Sequence, residues 1–248
     1  MRFTITSDSG TRITLKDRYL DKHVGWELAK DGVSGWFGSP KPREDVASSV
    51  GRDGDFWPAT LTQGGRVVTL SGIAHCHSTL ELARAIDQIN GLVGHMLTIE
   101  AEDAHGVRIA TGYLSDDPDP QIFSHEKDAS FDLIITCPDP HRYGRWSAYS
   151  FPFEGTVKVR NNGNVKSYPK IKVTSLYQQK VTALALTCGS QKVTWTGSAD
   201  ELTIDLAEMV PSSGTIGIDN AFALSPGMNQ VKISTDGYAT LYTRDGWR

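Results

Sequence analysis

A chain of 248 residues, 39% hydrophobic and 22% charged with 24 Gly and 11 Pro, is long enough for two domains and is neither disordered nor fibrous in composition. Its net charge of −4 is unevenly spread: residues 1–138 hold 13 Lys/Arg against 20 Asp/Glu, and residues 139–248 hold 12 against 9, so the first part is a poor candidate for gripping phosphates. No run approaches the roughly 18 apolar residues of a membrane span, the start Met1-Arg2-Phe3-Thr4 is not that of a leader, and Cys76, Cys137 and Cys188 are too widely spaced for a disulfide framework or a paired-cysteine zinc motif. The expectation is a chain folded in the cytoplasm, with no cofactor and with its cysteines as small buried hydrophobes.

In chain order, Phe3-Thr4-Ile5-Thr6 and Arg12-Ile13-Thr14-Leu15 alternate around Ser7-Asp8-Ser9-Gly10, which predicts a hairpin. Val24-Gly25-Trp26-Glu27-Leu28 extends that sheet. From about residue 29 to 60 five Gly, three Pro and nine charged residues break any period, predicting a long arm. Trp36, Phe37, Phe56 and Trp57 give it aromatic anchors, which argues against plain disorder. Arg66 to Ala74 is a β-branched strand. It leads into one helix, with Ser78 and Glu81 as a capping box and Leu82, Ala85, Ile86, Ile89 and Val93 on one face. Strands follow at 97–101, 107–114 and 129–136. Two prolines and a glycine in Pro138-Asp139-Pro140-His141-Arg142-Tyr143-Gly144 mark the domain boundary, giving domains 1–138 and 139–248. Beyond it, short strands at 168–174, 181–187, 192–196, 202–206, 230–234 and 239–242 have the spacing of a sandwich. The fold class is mainly β: an N-terminal sandwich or barrel with one helix and a long arm, then a C-terminal sandwich.

Candidate chemistry is thin. On a strand His75 and His77 point to one face and Cys76 to the other, so the three do not converge on a metal. Asp116, Asp117 and Asp119 alternate with Pro118 and Pro120 as an acidic solvated turn, and Asp200 and Glu201 sit at a strand start. No nucleophile elbow, phosphate-binding glycine loop or metalloprotease helix is present, and no catalytic or metal residue is assigned. Trp36, Trp57 and Trp146 divide between core anchoring and an intersubunit interface, where buried aromatics are favoured. A lectin would instead stack such rings on sugars.

The ordered set of signals resembles the distal tail (Dit) family of long-tailed, non-contractile bacteriophages. Carrying the likeness are the hairpin and arm with Gly51-Arg52-Asp53-Gly54-Asp55-Phe56-Trp57, then Arg66-Val67-Val68-Thr69-Leu70-Ser71-Gly72 and a single helix. The junction Asp139-Pro140-His141-Arg142-Tyr143-Gly144 is similar to the family's Asp-Pro-x-x-Tyr-Gly. Asn161-Asn162-Gly163-Asn164, Tyr168-Pro169-Lys170-Ile171-Lys172-Val173, Leu202-Thr203-Ile204-Asp205-Leu206 and Ser225-Pro226-Gly227-Met228-Asn229 follow in the family's order.

The resemblance implies a structural virion protein of a siphovirus tail tip or baseplate, assembled in the host cytoplasm and not an enzyme. Six copies would form a ring joining the tail tube protein to the tip hub protein, near the tape measure and receptor-binding proteins, with DNA passing through unbound and no membrane contact. Its first domain would be tube-like, its second galectin-like. Trp36, Phe37, Phe56 and Trp57 would anchor the arm at the ring interface, and Asp139, Pro140, Tyr143 and Gly144 would form the domain junction. Removing residues 32–55 would then leave both domains folded and abolish the ring. The alternative is a carbohydrate-binding module for host attachment; residues 149–248 hold no His and, as Trp, only Trp195 and Trp247 toward a sugar site.

Overall fold

The computed structural model describes residues 1–17, 25–43, 51, 53, 61–123, 125–177, 179–218 and 221–248. Val24, Phe56 and Trp57 lie outside the described residues. The chain divides into two compact units, Met1–His141 and Arg142–Arg248.

The first unit closes a sheet on itself. Strands β1 (Arg2–Ser7) and β2 (Arg12–Lys16) form the expected hairpin. Next come β3 (Gly25–Ser34), β4 (Arg66–His75), helix α1 (Thr79–Asn90), β5 (Leu97–Asp103), β6 (Gly106–Leu114), β7 (Gln121–Phe123) and β8 (Asp128–Cys137). The order is β6-β5-β1-β2-β3-β4-β8, and pairing of Tyr113 with Thr136 and Leu114 with Ile135 returns β8 to β6. Alternation decides which side fills the barrel: Phe3, Ile5, Ile13, Leu15, Val68, Leu70, Ile99, Leu133 and Ile135 share one core.

Helix α1 begins as its sequence predicts. Ser78 accepts from the Glu81 N–H at 3.3 Å, while the Glu81 carboxylate turns back to the His77 N–H at 2.9 Å. Leu82, Ala85 and Ile89 are buried. Val93 lies beyond the helix end and is exposed, so it does not belong to the packed face.

The second unit is built on a long ribbon. Its strands are β9 (Arg142–Tyr143), β10 (Ser147–Asn161), β11 (Lys170–Thr174), β12 (Val181–Cys188), β13 (Gln191–Ala199), β14 (Glu201–Asp205), β15 (Val210–Pro211), β16 (Thr215–Ile218), β17 (Gly227–Thr243) and β18 (Gly246–Trp247). β10 pairs with β17 along nearly its whole length. On its other side β17 pairs with β12 over its first half and with β11 over its second. The ribbon thus passes from one layer to the other, and it bends where the β10 register shifts at Pro152/Glu154. Gly237 sits at that corner, where a Cβ would stand 2.6 Å from the Thr174 carbonyl. Ile171, Val173, Leu202 and Leu241 from one layer meet Leu184, Leu186, Trp195 and Ile233 from the other in a single core.

Asp236, beside Gly237, fastens the corner. Its carboxylate accepts from the Thr182 N–H at 2.8 Å and also from the Thr182 hydroxyl. Desolvation pushes its pKa up, but those bonds prevail and hold it below the ordinary carboxylate value. A carboxylate with a lowered folded pKa stabilises fully above its unfolded pKa of about 4 and loses that contribution as pH falls through the folded value. Between pH 6 and 2.5, urea midpoints of wild type are therefore expected to fall more steeply below pH 4 than those of Asp236→Asn. Parallel curves would remove Asp236 as a source of acid sensitivity.

Candidate assembly surfaces

Arg66 organises the base of the expected arm. The Gly-Gly pair before it and the β-branched run after it place Arg66 at the head of β4, where it is buried. Its Nη1 donates to the carbonyls of Gly35 at 2.6 Å, Trp36 at 3.1 Å and Gly38 at 2.7 Å, and its Nε donates to the Pro140 carbonyl at 3.0 Å. One guanidinium fork thus ties the segment after β3 to the last residues of the first unit. Burial lowers its pKa, opposed by the neighbouring Cys137. The same burial pushes the Cys137 thiol up to about 11, so it packs as a neutral apolar group.

This geometry corrects two expectations. The arm does not start at residue 29, because β3 continues through Ser34 with a bulge at which Asp31 has φ +58°. Trp36 is not an interface anchor: it is 1% exposed and meets Phe3 edge to face at 5.5 Å between ring centroids, inside this chain's own core. Phe37, the next residue, is 61% exposed, and Leu61 is 71% exposed. Deleting 32–55 would therefore strip Trp36 from the barrel and three carbonyls from Arg66, so that deletion does not test the arm alone.

The junction residues each have a local partner. In the first unit, Asp139 accepts from the His141 N–H at 2.9 Å and Pro140 supplies the carbonyl to Arg66. In the second, Tyr143 pairs with Gly246, and the Arg244 guanidinium lies 3.7 Å from the Tyr143 ring centroid and 4.4 Å from that of Trp146. The Gly144 N–H donates to the Asp245 carbonyl at 3.0 Å. Sequence reading missed Arg244, the cation that stacks these rings.

Asn161-Asn162-Gly163-Asn164 is a clamp on the last four residues. The buried Asn161 donates to the carbonyls of Val165 at 2.8 Å and Leu224 at 3.2 Å and accepts from Gly163 N–H at 3.0 Å and Gly246 N–H at 3.2 Å. Asn162 makes two bonds to the Asp245 carboxylate, and Asn164 accepts from the Arg248 N–H at 2.7 Å. Gly163 approaches the backbone so closely that a Cβ would lie 1.7 Å from the Gly246 oxygen, which is why a glycine stands there.

The residues weighed for catalysis and metal binding have structural partners. His75 bridges three strands, with Nε2 3.0 Å from Glu27 and Nδ1 3.0 Å from Asp128. Glu201 pairs with Lys172 at 2.9 Å. Asp116, Asp117 and Asp119 are exposed, with the Asp117 and Asp119 amides turned onto the carboxylates before them. Trp195 is buried and donates to the Ser213 carbonyl, so it offers no sugar platform. Among the described residues there is no group of three or more metal-ligating side chains, and no helix is long and apolar enough to cross a membrane.

No family model and no curated protein sequence matches the chain. Solved structures do match along its whole length. One is the SPP1 Dit (gp 19.1) protein, described as a paradigm of the hub adsorption apparatus in phages infecting Gram-positive hosts: TM-score 0.63, 15% identity, 99% of each chain covered. Others are chains of the phage p2 baseplate in its activated conformation, with Sr (TM-score 0.54, 11% identity, 98% of each chain) and with Ca (TM-score 0.52, 11% identity, 99% of this chain and 98% of that one). Both units thus share, in one chain and in the same order, the fold of a phage distal tail protein.

Proposed function

We propose that this chain is a structural protein of a long-tailed phage, a distal tail protein whose copies form a six-membered ring at the tail tip. The ring joins the tail tube to the tip hub and its receptor-binding apparatus and lets DNA pass; the chain itself catalyses nothing. The observation that carries this reading is the match to the SPP1 Dit protein over 99% of both chains, which aligns both units together and not a barrel or a sandwich alone. Two features support it physically. Phe37 and Leu61 leave apolar side chains in water on either side of residues 44–60, and a neighbouring copy would cover them. The short edge strand β7 exposes Ile122 and Phe123, a further surface that a closed assembly protects.

The second unit is proposed as the galectin-like domain of such proteins, without a sugar site. Mass photometry of the full chain over a concentration series, with negative-stain images, is expected to show six-membered rings with an open centre. Replacing residues 44–60 by a short Gly/Ser linker, which spares Trp36 and the Arg66 carbonyls, is expected to leave the melting temperature within a few degrees and to abolish rings. A monomer at every concentration, with or without tube and hub proteins, overturns the assembly reading. Rings that survive the linker variant remove the arm from the interface.

A further inference from the structure

The register of the second unit gathers cations on one face of one layer. Outward-pointing positions run in rows across β10, β17, β12 and β13: Thr156, Lys232, Thr187 and Lys192 form one row, and Lys158 stands beside Gln230 in the next. Arg160 follows Lys158 on the same side of β10. Lys158, Arg160, Lys192 and Lys232 are exposed. On these strands Glu154 faces them and is engaged by Lys232 at 2.7 Å, while Asp236, farther along β17, is turned onto Thr182. Among the described residues Lys158, Arg160 and Lys192 make no ion pair. Between the cations stand Thr156, Thr187, Ala185 and Thr194, small side chains that leave the face flat. Residues two apart on a strand are ~7 Å apart and adjacent strands ~4.8 Å apart, so the four cations fall within a patch ~20 Å across.

The first unit carries the complement. Three of its acids stand in one exposed turn, Asp116, Asp117 and Asp119, and among the described residues they make no ion pair. The turn is stiff. The Asp117 and Asp119 N–H groups donate to the carboxylates of Asp116 and Asp117, and the intervening Pro118 is buried with its carbonyl accepting from the Asp132 N–H. Its three carboxylates fit within the cationic patch, since a chain advances at most ~3.5 Å per residue.

We infer that the outward face bearing Lys158, Arg160, Lys192 and Lys232 docks the Asp116–Asp119 turn of a second copy of this chain. The inference rests on the reading that copies assemble, and it adds a contact that uses the second unit as well as the arm. It is tested by charge exchange in the full chain: Lys158→Glu with Lys192→Glu, Asp116→Lys with Asp117→Lys, and all four together, each checked for an unchanged melting temperature and followed by mass photometry at low and high salt. Wild-type assembly is expected to weaken as salt rises. Either pair alone is expected to weaken it about tenfold or more at low salt, and the four together to restore it. The milder Lys158→Gln with Lys192→Gln moves in the same direction if the Glu pair misfolds. Pair variants that assemble like wild type, or a fourfold variant that stays weak, overturn this contact while the ring reading stands; a wild-type monomer throughout overturns both. Unchanged assembly with lost retention on immobilised heparin would assign the face to a polyanion instead.

Discussion

Replacing Arg66 with alanine is expected to lower the stability of the first unit by about 3–5 kcal/mol, read as a fall in urea midpoint at unchanged slope. The loss has two parts. Four hydrogen bonds from a charged donor disappear, and the carbonyls of Gly35, Trp36, Gly38 and Pro140 lose that donor, the first, third and fourth in a part-buried setting and Trp36 in a buried one where water replaces it poorly. Arg66→Lys is expected to recover less than half. A single ammonium cannot reach the three carbonyls on one side and Pro140 on the other, whereas the planar fork does both. Because Gly35 to Gly38 lead into the arm, the variant is also expected to speed backbone hydrogen exchange there before it does so in β1 or β5. A loss below about 1 kcal/mol would mean that water takes over the cage.

Asn161→Ala carries the next largest effect, about 2–4 kcal/mol in the second unit. One amide satisfies two carbonyls and two N–H groups from three separate stretches: 163–165, Leu224 and Gly246. Its removal takes a partner from two N–H groups and two carbonyls, of which the Leu224 carbonyl keeps the Ser167 N–H, and releases the tail that Asn162 and Asn164 also hold. Asn161→Asp is expected to be no better. It keeps the acceptors, loses both donations and buries a charge. Hydrogen exchange should rise first at residues 244–248 and then through β10. Exchange that rises uniformly across both units would argue that the clamp is not a local fastening.

Much of the fold was legible because alternation and capping are local. The β1–β2 hairpin, the β4 run, the α1 start at Ser78 and Glu81 and the strands β5, β6, β8 and β11 to β14 follow from period and turn chemistry alone. Two failures share a cause. β10 was not expected as a strand because Pro152, Phe153, Glu154 and Gly155 interrupt its alternation, and β17 was split at Asp236-Gly237. Both interruptions are the corner at which a continuous ribbon changes layers, and only its partner strands show that it continues.

The candidate surfaces divide in the same way. Sequence by itself determined a mainly β chain with one helix, the punctuation near residue 140, the acidic bias of the first part and the asparagine loop, because each depends on residues adjacent along the chain. Tertiary structure decided which aromatic serves the core and which is left in water: Trp36 and Phe37 are neighbours in sequence with opposite fates, set by where Arg66 holds the backbone between them. It also decided that Arg66 is buried and that Lys158, Lys192 and Lys232 share a face. Those outcomes depend on pairing between residues 28 to 74 positions apart, and a pattern read along the chain carries no information about partners at that range.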